Sequence, residues 1–302
     1  MTLSNNMSLD TEVVVERKLF LKVYRMIREI DRQRKSCERS SGVVFRDVQI
    51  VAMHFWATIC DRNQSWVCSR SNWSPRLPHG WPRLPSEAQY SRRLKSHQVQ
   101  DLIDKMEQKL KSADPEQWCV LVDGKPLRVS RFSKDPEATT GYGAGEFYRG
   151  YKLHVIWGRS RMPLAWDIQP ANVAEPTVAL TIIPEVPGEG YLIGDSAYDS
   201  NVLYEAADKA GRDLIAPRKK PGTGLGKGRK HHPQRLRSVE MTETNMHPLG
   251  KALLKSRSTA ERQFGWLTGG CGGLQNLPTF VRRLPRVRRW IQAKLIVNAL
   301  SN

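Results

Sequence analysis

The chain has no Cys-x-x-Cys pair, no apolar run near the roughly 18 residues of a membrane span, and very few acidic residues in its last third. Each absence removes a class. The five cysteines, Cys37, Cys60, Cys68, Cys119 and Cys271, are odd in number and lack zinc-ligand spacing, so reduced thiols are expected rather than a disulfide or zinc scaffold. The first ten residues are polar and do not form a secretory leader, which makes the cytoplasm the expected location, with no membrane partner. Gly222–Gly228 carries glycines and a lysine but not the Gly-x-x-x-x-Gly-Lys-Ser/Thr order of a phosphate loop, and reads as a flexible, polyanion-contacting loop. His231-His232 has no partner at metal-site spacing. No serine or cysteine stands in a nucleophile-elbow context, so covalent hydrolase chemistry is unsupported.

What is present is length and positive charge. At 302 residues the chain can bury a sizeable core and hold a catalytic domain plus a smaller one. Hydrophobic content of 39% with 26% charged residues suits a globular protein. Lys and Arg number 48 against 30 Asp and Glu, a net charge of +18. From Arg218 to Asn302 there are 18 basic and 3 acidic residues, so this tail alone supplies +15. A field so clustered favours a polyanion, bound in a salt-sensitive way.

Apolar spacing predicts an amphipathic helix over 11–34 and a second over 43–60. The Trp-, Pro- and Arg-rich stretch 66–85 reads as irregular, and Ser86 is expected to cap a helix over 87–111. Residues 1–111 thus form a helical region, either a DNA-binding or end-recognition module or a plain helical cap on the next domain. After a linker near 112–116 the pattern turns to short strands, at Trp118–Val122, 127–132, 151–157 and 163–168. A helix over 175–183, a buried strand at 191–193, a helix over 199–210 and a strand at 213–216 come next. Residues 117–302 therefore read as an α/β domain of mixed pairing. Within it, 217–248 reads as a basic loop insertion too polar for core, whose Lys219, Lys220, Lys227, Arg229 and Lys230 are candidate DNA contacts. Helices are expected over 249–267 and 284–300.

Three carboxylates stand out. Asp123 and Asp195 each end an apolar strand, and pairing of those strands would bring them together; an aspartate there also serves as a turn or helix cap. Asp199 is a rival, expected instead to cap the next helix. Glu261 is the one acidic residue between Thr244 and Asn302. It also fits a capping box with Ser258 and an i, i+4 pair with Arg257. Carboxylates converging from separate elements are what phosphodiester chemistry needs, because two hard cations roughly 3.5–4 Å apart stabilise the attacking and leaving oxygens.

The ordered motifs Val122-Asp123-Gly124, Tyr148-Arg149-Gly150-Tyr151-Lys152-Leu153-His154, Gly194-Asp195-Ser196-Ala197-Tyr198-Asp199 and Arg257-x-x-x-Glu261-x-x-Phe264 resemble an insertion-sequence DDE transposase, nearest the insertion sequence four and five types. Pro85–Leu94 and Pro163–Glu175 are similar to further stretches of that family. The resemblance implies an RNase H-like (integrase-like) mixed sheet flanked by helices, with Asp123, Asp195 and Glu261 as the metal-binding triad. It implies Mg2+ or Mn2+, two ions, as cofactor. It implies double-stranded DNA, both terminal inverted repeats and target, as partner, and 3′-hydroxyl strand transfer as the reaction. Arg257 would contact phosphate, and Arg149 and Lys152 join the candidate DNA contacts. Holding two DNA ends calls for a homodimer on DNA. Leu254 and Thr268 stand where the family's third motif often has a tyrosine and a lysine. Other outcomes of the same fold are a DNA-binding regulator without activity and a nuclease without strand transfer.

Overall fold

A computed structural model describes residues 3–73, 81, 83–112, 117–143, 145–225, 230–243, 247–270 and 273–301. Lys227, Arg229 and Cys271 lie outside the described residues. The chain divides into two compact units: Met1–Ala113 with Leu267–Leu274 and Arg289–Asn302, and Asp114–Trp266 with Gln275–Arg288.

The first unit opens with α1 (Leu3–Gln33), α2 (Asp47–Ile59), α3 (Gln64–Cys68), α4 (Glu87–Leu94) and α5 (His97–Ser112). Val23, Ile27 and Ile30 bury one stripe of α1, while Leu21 faces solvent. Ser86 does cap α4: its hydroxyl accepts from the Gln89 N–H and the Gln89 side chain accepts from the Ser86 N–H, a capping box. The single helix expected over 87–111 is two, because the chain turns at Lys95 and Ser96, where Ser96 Oγ donates to the Arg93 carbonyl at 2.7 Å and competes with helical pairing. The stretch read as irregular takes in the end of α3, and its described residues Trp66 and Trp73 are held by aromatic packing. Trp56 lies 5.1 Å from Phe20 and 6.1 Å from both Trp66 and Trp73 between ring centroids. Asp47, only 4% exposed, is satisfied by Arg34 and Arg93.

The second unit holds β1 (Cys119–Arg128), β2 (Thr139–Gly143), β3 (Glu146–Trp157), β4 (Ala165–Pro170), α6 (Glu175–Ile182), β5 (Gly190–Ile193), α7 (Asn201–Lys209), β6 (Arg212–Ile215), α8 (Pro233–Thr242) and α9 (Pro248–Ser256). α10 (Ser258–Gly269) and α11 (Leu284–Leu300) complete the chain. β3 pairs antiparallel with β1, β2 and β4, whereas β1 pairs parallel with β5 and β5 parallel with β6. The result is one mixed six-stranded sheet. Strand side chains alternate between its faces. One face sends Val120, Val122, Ile156, Leu192 and Leu214 against Ala179 and Ile182 of α6 and Leu203, Tyr204 and Ala207 of α7. On the opposite face Trp157 meets Phe264 of α10 edge-on, with centroids 5.7 Å apart. This mixed sheet flanked by helices is an RNase H-like fold.

Four local expectations change. β1 does not stop at Asp123 but runs on to Arg128, because its second half continues in register with β3. β2 arises in a stretch with no expected strand. The polar stretch 217–248 is not wholly loop, since α8 forms within it and buries a hydrogen-bonded rather than apolar stripe. Ser238 Oγ meets Tyr204 and Ala216, and Gln234 donates to the Arg212 carbonyl. The helix expected over 249–267 is two, α9 and α10, separated at Arg257. Within the first unit, the C-terminal part of α11 delivers Gln292 to Asp104 and Glu107, both at 2.8 Å.

Candidate active site

Parallel pairing of β1 and β5 sets Leu121 opposite Ile193. Asp123 and Asp195 lie two residues beyond that pair on neighbouring strands, so both carboxylates arrive at the carboxyl end of the parallel pairing. Each is fixed locally: Asp123 Oδ1 accepts the Gly124 N–H at 2.8 Å, and Asp195 Oδ1 accepts the Ala197 N–H at 2.7 Å. Gly194 has a steric reason, since a Cβ there would stand 2.9 Å from the buried Tyr198 ring packed beneath the Asp195 turn.

Burial pushes the Asp123 carboxyl from an ordinary 3.8 up to about 6, helped by the charges of Asp195 and Glu175 and opposed by the Gly124 N–H and Arg257. Burial likewise lowers Lys125, which the nearby Asp123 charge partly offsets. Asp123, Asp195, Glu175 and Arg257 thus share one electrostatic neighbourhood, and the same four charges act on the buried Tyr198 hydroxyl.

α10 covers the sheet face on which Asp123 and Lys125 lie. Phe264 packs on Trp157, and the Lys125 Nζ stands 5.6 Å from the Phe264 ring centroid. Glu261 is three residues before Phe264, hence a helical neighbour of it, and its side chain is exposed to solvent. Arg257 is half-buried at the junction of α9 and α10. Among the described residues, no group of three or more His, Cys, Asp or Glu could hold a metal ion as they stand. The donor chemistry nonetheless suits magnesium, which takes oxygen ligands and needs only one or two carboxylates beside water and substrate phosphate. Asp123 and Asp195 supply that pair, and a cation would relieve their repulsion.

The remaining candidates fall in different places. Lys219, Lys220 and Lys230 are exposed. Lys152 is buried and donates to Glu175 Oε1 at 2.8 Å and to the Tyr142 carbonyl at 3.3 Å. Arg149 gives its guanidinium to the carbonyls of Ser133, Asp135 and Ala138, tying the loop before β2 to β3. Asp199 does not cap α7, whose N-cap is Ser200; it accepts two bonds from Arg235, at 2.7 and 2.9 Å. Glu175 is the residue that sequence reasoning missed. It opens α6 beside Pro176, and a carboxylate in a first helical turn is explained by the helix dipole alone. Its nearness to the site comes from the glycine at 124, where a Cβ would lie 3.5 Å from Glu175 Oε1.

Carboxylates on adjacent parallel strands of an RNase H-like sheet, with cations around them, define a polynucleotide-processing class of enzyme. The transposase DDE domain family matches residues 114–297, more than half of the chain, and the chain belongs to it. It is therefore a transposase-type enzyme of the polynucleotidyl transferase and nuclease class, which acts on DNA and depends on divalent cations. No curated protein and no solved structure matches the chain. Among the described residues, no helix is long and apolar enough to cross a membrane.

Proposed function

We propose that this protein cleaves DNA at the terminal inverted repeats of an insertion sequence and joins the freed 3′-hydroxyl ends to target DNA. The observation that carries the proposal is the convergence of Asp123 and Asp195 from paired parallel strands. Glu261 stands exposed on α10, is not among the charges that act on Asp123, and would have to turn toward the pair on loading metal and DNA. Asp123, Asp195 and Glu261 would hold Mg2+, with two ions as the expected complement and Mn2+ as a substitute. When bound, the ions polarise the scissile phosphate and stabilise the oxygens entering and leaving phosphorus.

The protein's own groups orient these parts. The Gly124 and Ala197 N–H groups each hold one oxygen of an aspartate, so the second oxygen would be the one offered to a cation. Arg257 places a fixed positive charge beside Asp123, suited to a phosphate because a guanidinium stays charged and pairs with two oxygens at once. Lys219, Lys220 and Lys230 supply exposed charge for the flanking backbone, and Lys227 and Arg229 add to the positive charge of the same stretch of sequence. Arg149 and Lys152 serve from within the fold, bracing the strand that pairs with β1. In cleavage, water adds to phosphorus as the P–O3′ bond breaks, leaving a 3′-hydroxyl and a 5′-phosphate. In joining, that 3′-oxygen loses its proton, bonds to a target phosphorus and displaces a target 3′-oxygen. A homodimer on DNA would hold both ends for one such exchange.

The test is a labelled oligonucleotide carrying the inverted repeat that flanks the coding region, incubated with target duplex and Mg2+. Joined products support the proposal. Cleavage without joining identifies a nuclease, and binding without reaction identifies a regulator. Glu261→Gln is expected to abolish both steps while leaving DNA affinity within about twofold; normal joining by that variant removes Glu261 from the site.

A further inference from the structure

The first unit contains a cleft of about 690 Å³ that the catalytic reading leaves unused. Four arginines line it from three separate segments: Arg28 and Arg32 from α1, Arg46 from the residue before α2, and Arg83 from the approach to α4. All four are exposed, and among the described residues none lies within ion-pair distance of a carboxylate. Among the described residues the one carboxylate at the cleft, Asp31, is already engaged by Arg34 at 3.2 Å and Arg39 at 3.7 Å. Four like charges brought to one cleft repel one another, and an anionic partner would relieve that repulsion more than solvent screening does.

The floor is aromatic. Tyr24 and Trp81 meet edge to face with centroids 6.0 Å apart, and both are half-buried. Arg28 lies 6.0 Å from the Tyr24 ring centroid, and Arg83 lies 6.0 Å from that of Phe45. Guanidinium groups over aromatic rings, in an open cationic channel, are the combination that grips a nucleic-acid strand: phosphates pair with arginine while bases or sugars rest on the rings.

We propose that this cleft is a second DNA-binding site, distinct from the carboxylate centre, that holds a strand of the DNA through its phosphates on Arg28, Arg32, Arg46 and Arg83. A pocket of this size takes about one drug-sized fragment, comparable with a nucleotide or two, so the strand crosses it and is not engulfed. The proposal rests on the reading that the protein acts on DNA and adds the surface that does the holding.

The experiment is fluorescence anisotropy with full-length protein in EDTA, using a labelled random-sequence duplex and the corresponding single strand across a salt series. Each phosphate that is no longer neutralised lowers the slope of log affinity against log salt by about 0.9 on duplex DNA. Arg28→Gln, Arg46→Gln and Arg83→Gln combined should lower it by about 2 to 3 and weaken binding at least tenfold at moderate salt. A control that removes the same charge from exposed residues of the same unit outside the cleft, Arg17→Gln, Lys18→Gln and Lys95→Gln, should change it by less than 1. Equal losses in both triple variants would mean bulk charge and overturn the cleft. A wild-type slope in the cleft variant would overturn it too, with DNA binding itself intact. Absence of DNA binding by the unaltered protein would instead bring down the DNA reading on which the cleft depends. Tyr24→Leu should weaken single-strand binding several-fold without moving the slope; unchanged single-strand affinity removes the aromatic floor from the site.

Discussion

Replacing Asp123 with asparagine separates the two consequences of crowding carboxylates at the end of β1. The folded protein holds the Asp123 proton up to about pH 6, whereas a free aspartate releases it near 3.8. A carboxyl with a raised value binds its proton more tightly folded than unfolded. The metal-free protein therefore loses stability as pH rises from about 4 through about 6, and the loss is complete above that window. A displacement of this size corresponds to about 3 kcal/mol; partial solvent access to Asp123 lowers the expectation to about 2 kcal/mol. An asparagine in its place has no proton to lose, and its side-chain carbonyl can still accept from the Gly124 N–H. The Asp123→Asn variant should thus be inactive in DNA cleavage yet about 2 kcal/mol more stable than the parent at about pH 7.5 in EDTA, and level with it below about pH 4. Urea unfolding of the full chain at both pH values measures this. Added Mg2+ should stabilise the parent by mass action and leave the variant unmoved. Identical midpoints at pH 7.5, or the same gain at both pH values, would refute the argument that burial and Asp195 strain this carboxylate.

Two further perturbations probe its surroundings. Glu175→Leu strands the buried Lys152 ammonium, leaving it the Tyr142 carbonyl as its hydrogen-bond partner among the described residues, and should cost about 2–3 kcal/mol in denaturant unfolding; adding Lys152→Met should recover most of that, and simple additivity of the two losses would count against the ion pair. Gly190 sits at φ +105° where β5 begins, and a Cβ there would come within 2.0 Å of the Trp118 carbonyl oxygen. Gly190→Ala should therefore lower stability by at least about 2 kcal/mol and, by displacing the strand that carries Asp195, abolish DNA cleavage; an unmoved unfolding midpoint with full cleavage would show that β5 needs no glycine there.

Much of the architecture is legible in one dimension because it rests on local signals. The Ser86 cap, the strands β3 and β4, the buried β5 and the basic tail all derive from periodicity, capping chemistry or composition. The misreadings share a cause. α8 buries Gln234, Ser238 and Thr242, so a search for apolar spacing passes over it. β1 continues beyond Asp123 because β3 offers it partners, which joins the strand expected at Trp118–Val122 to the start of the one expected at 127–132. Asp199 looks like a helix cap until Arg235, 36 residues away, arrives to claim both its oxygens.

By itself the sequence determined which residue types could act: aspartates at strand ends, a lone downstream glutamate among cations, and a surplus of positive charge suited to DNA. Only the folded chain decided which of them meet. Parallel pairing of β1 with β5 brings Asp123 and Asp195 together, α6 introduces Glu175, and three separate segments gather four arginines into one cleft with Tyr24 and Trp81. The physical reason is that charge repulsion, burial and ion pairing depend on distance through space, which chain order does not encode until long-range strand pairing and helix packing fix it.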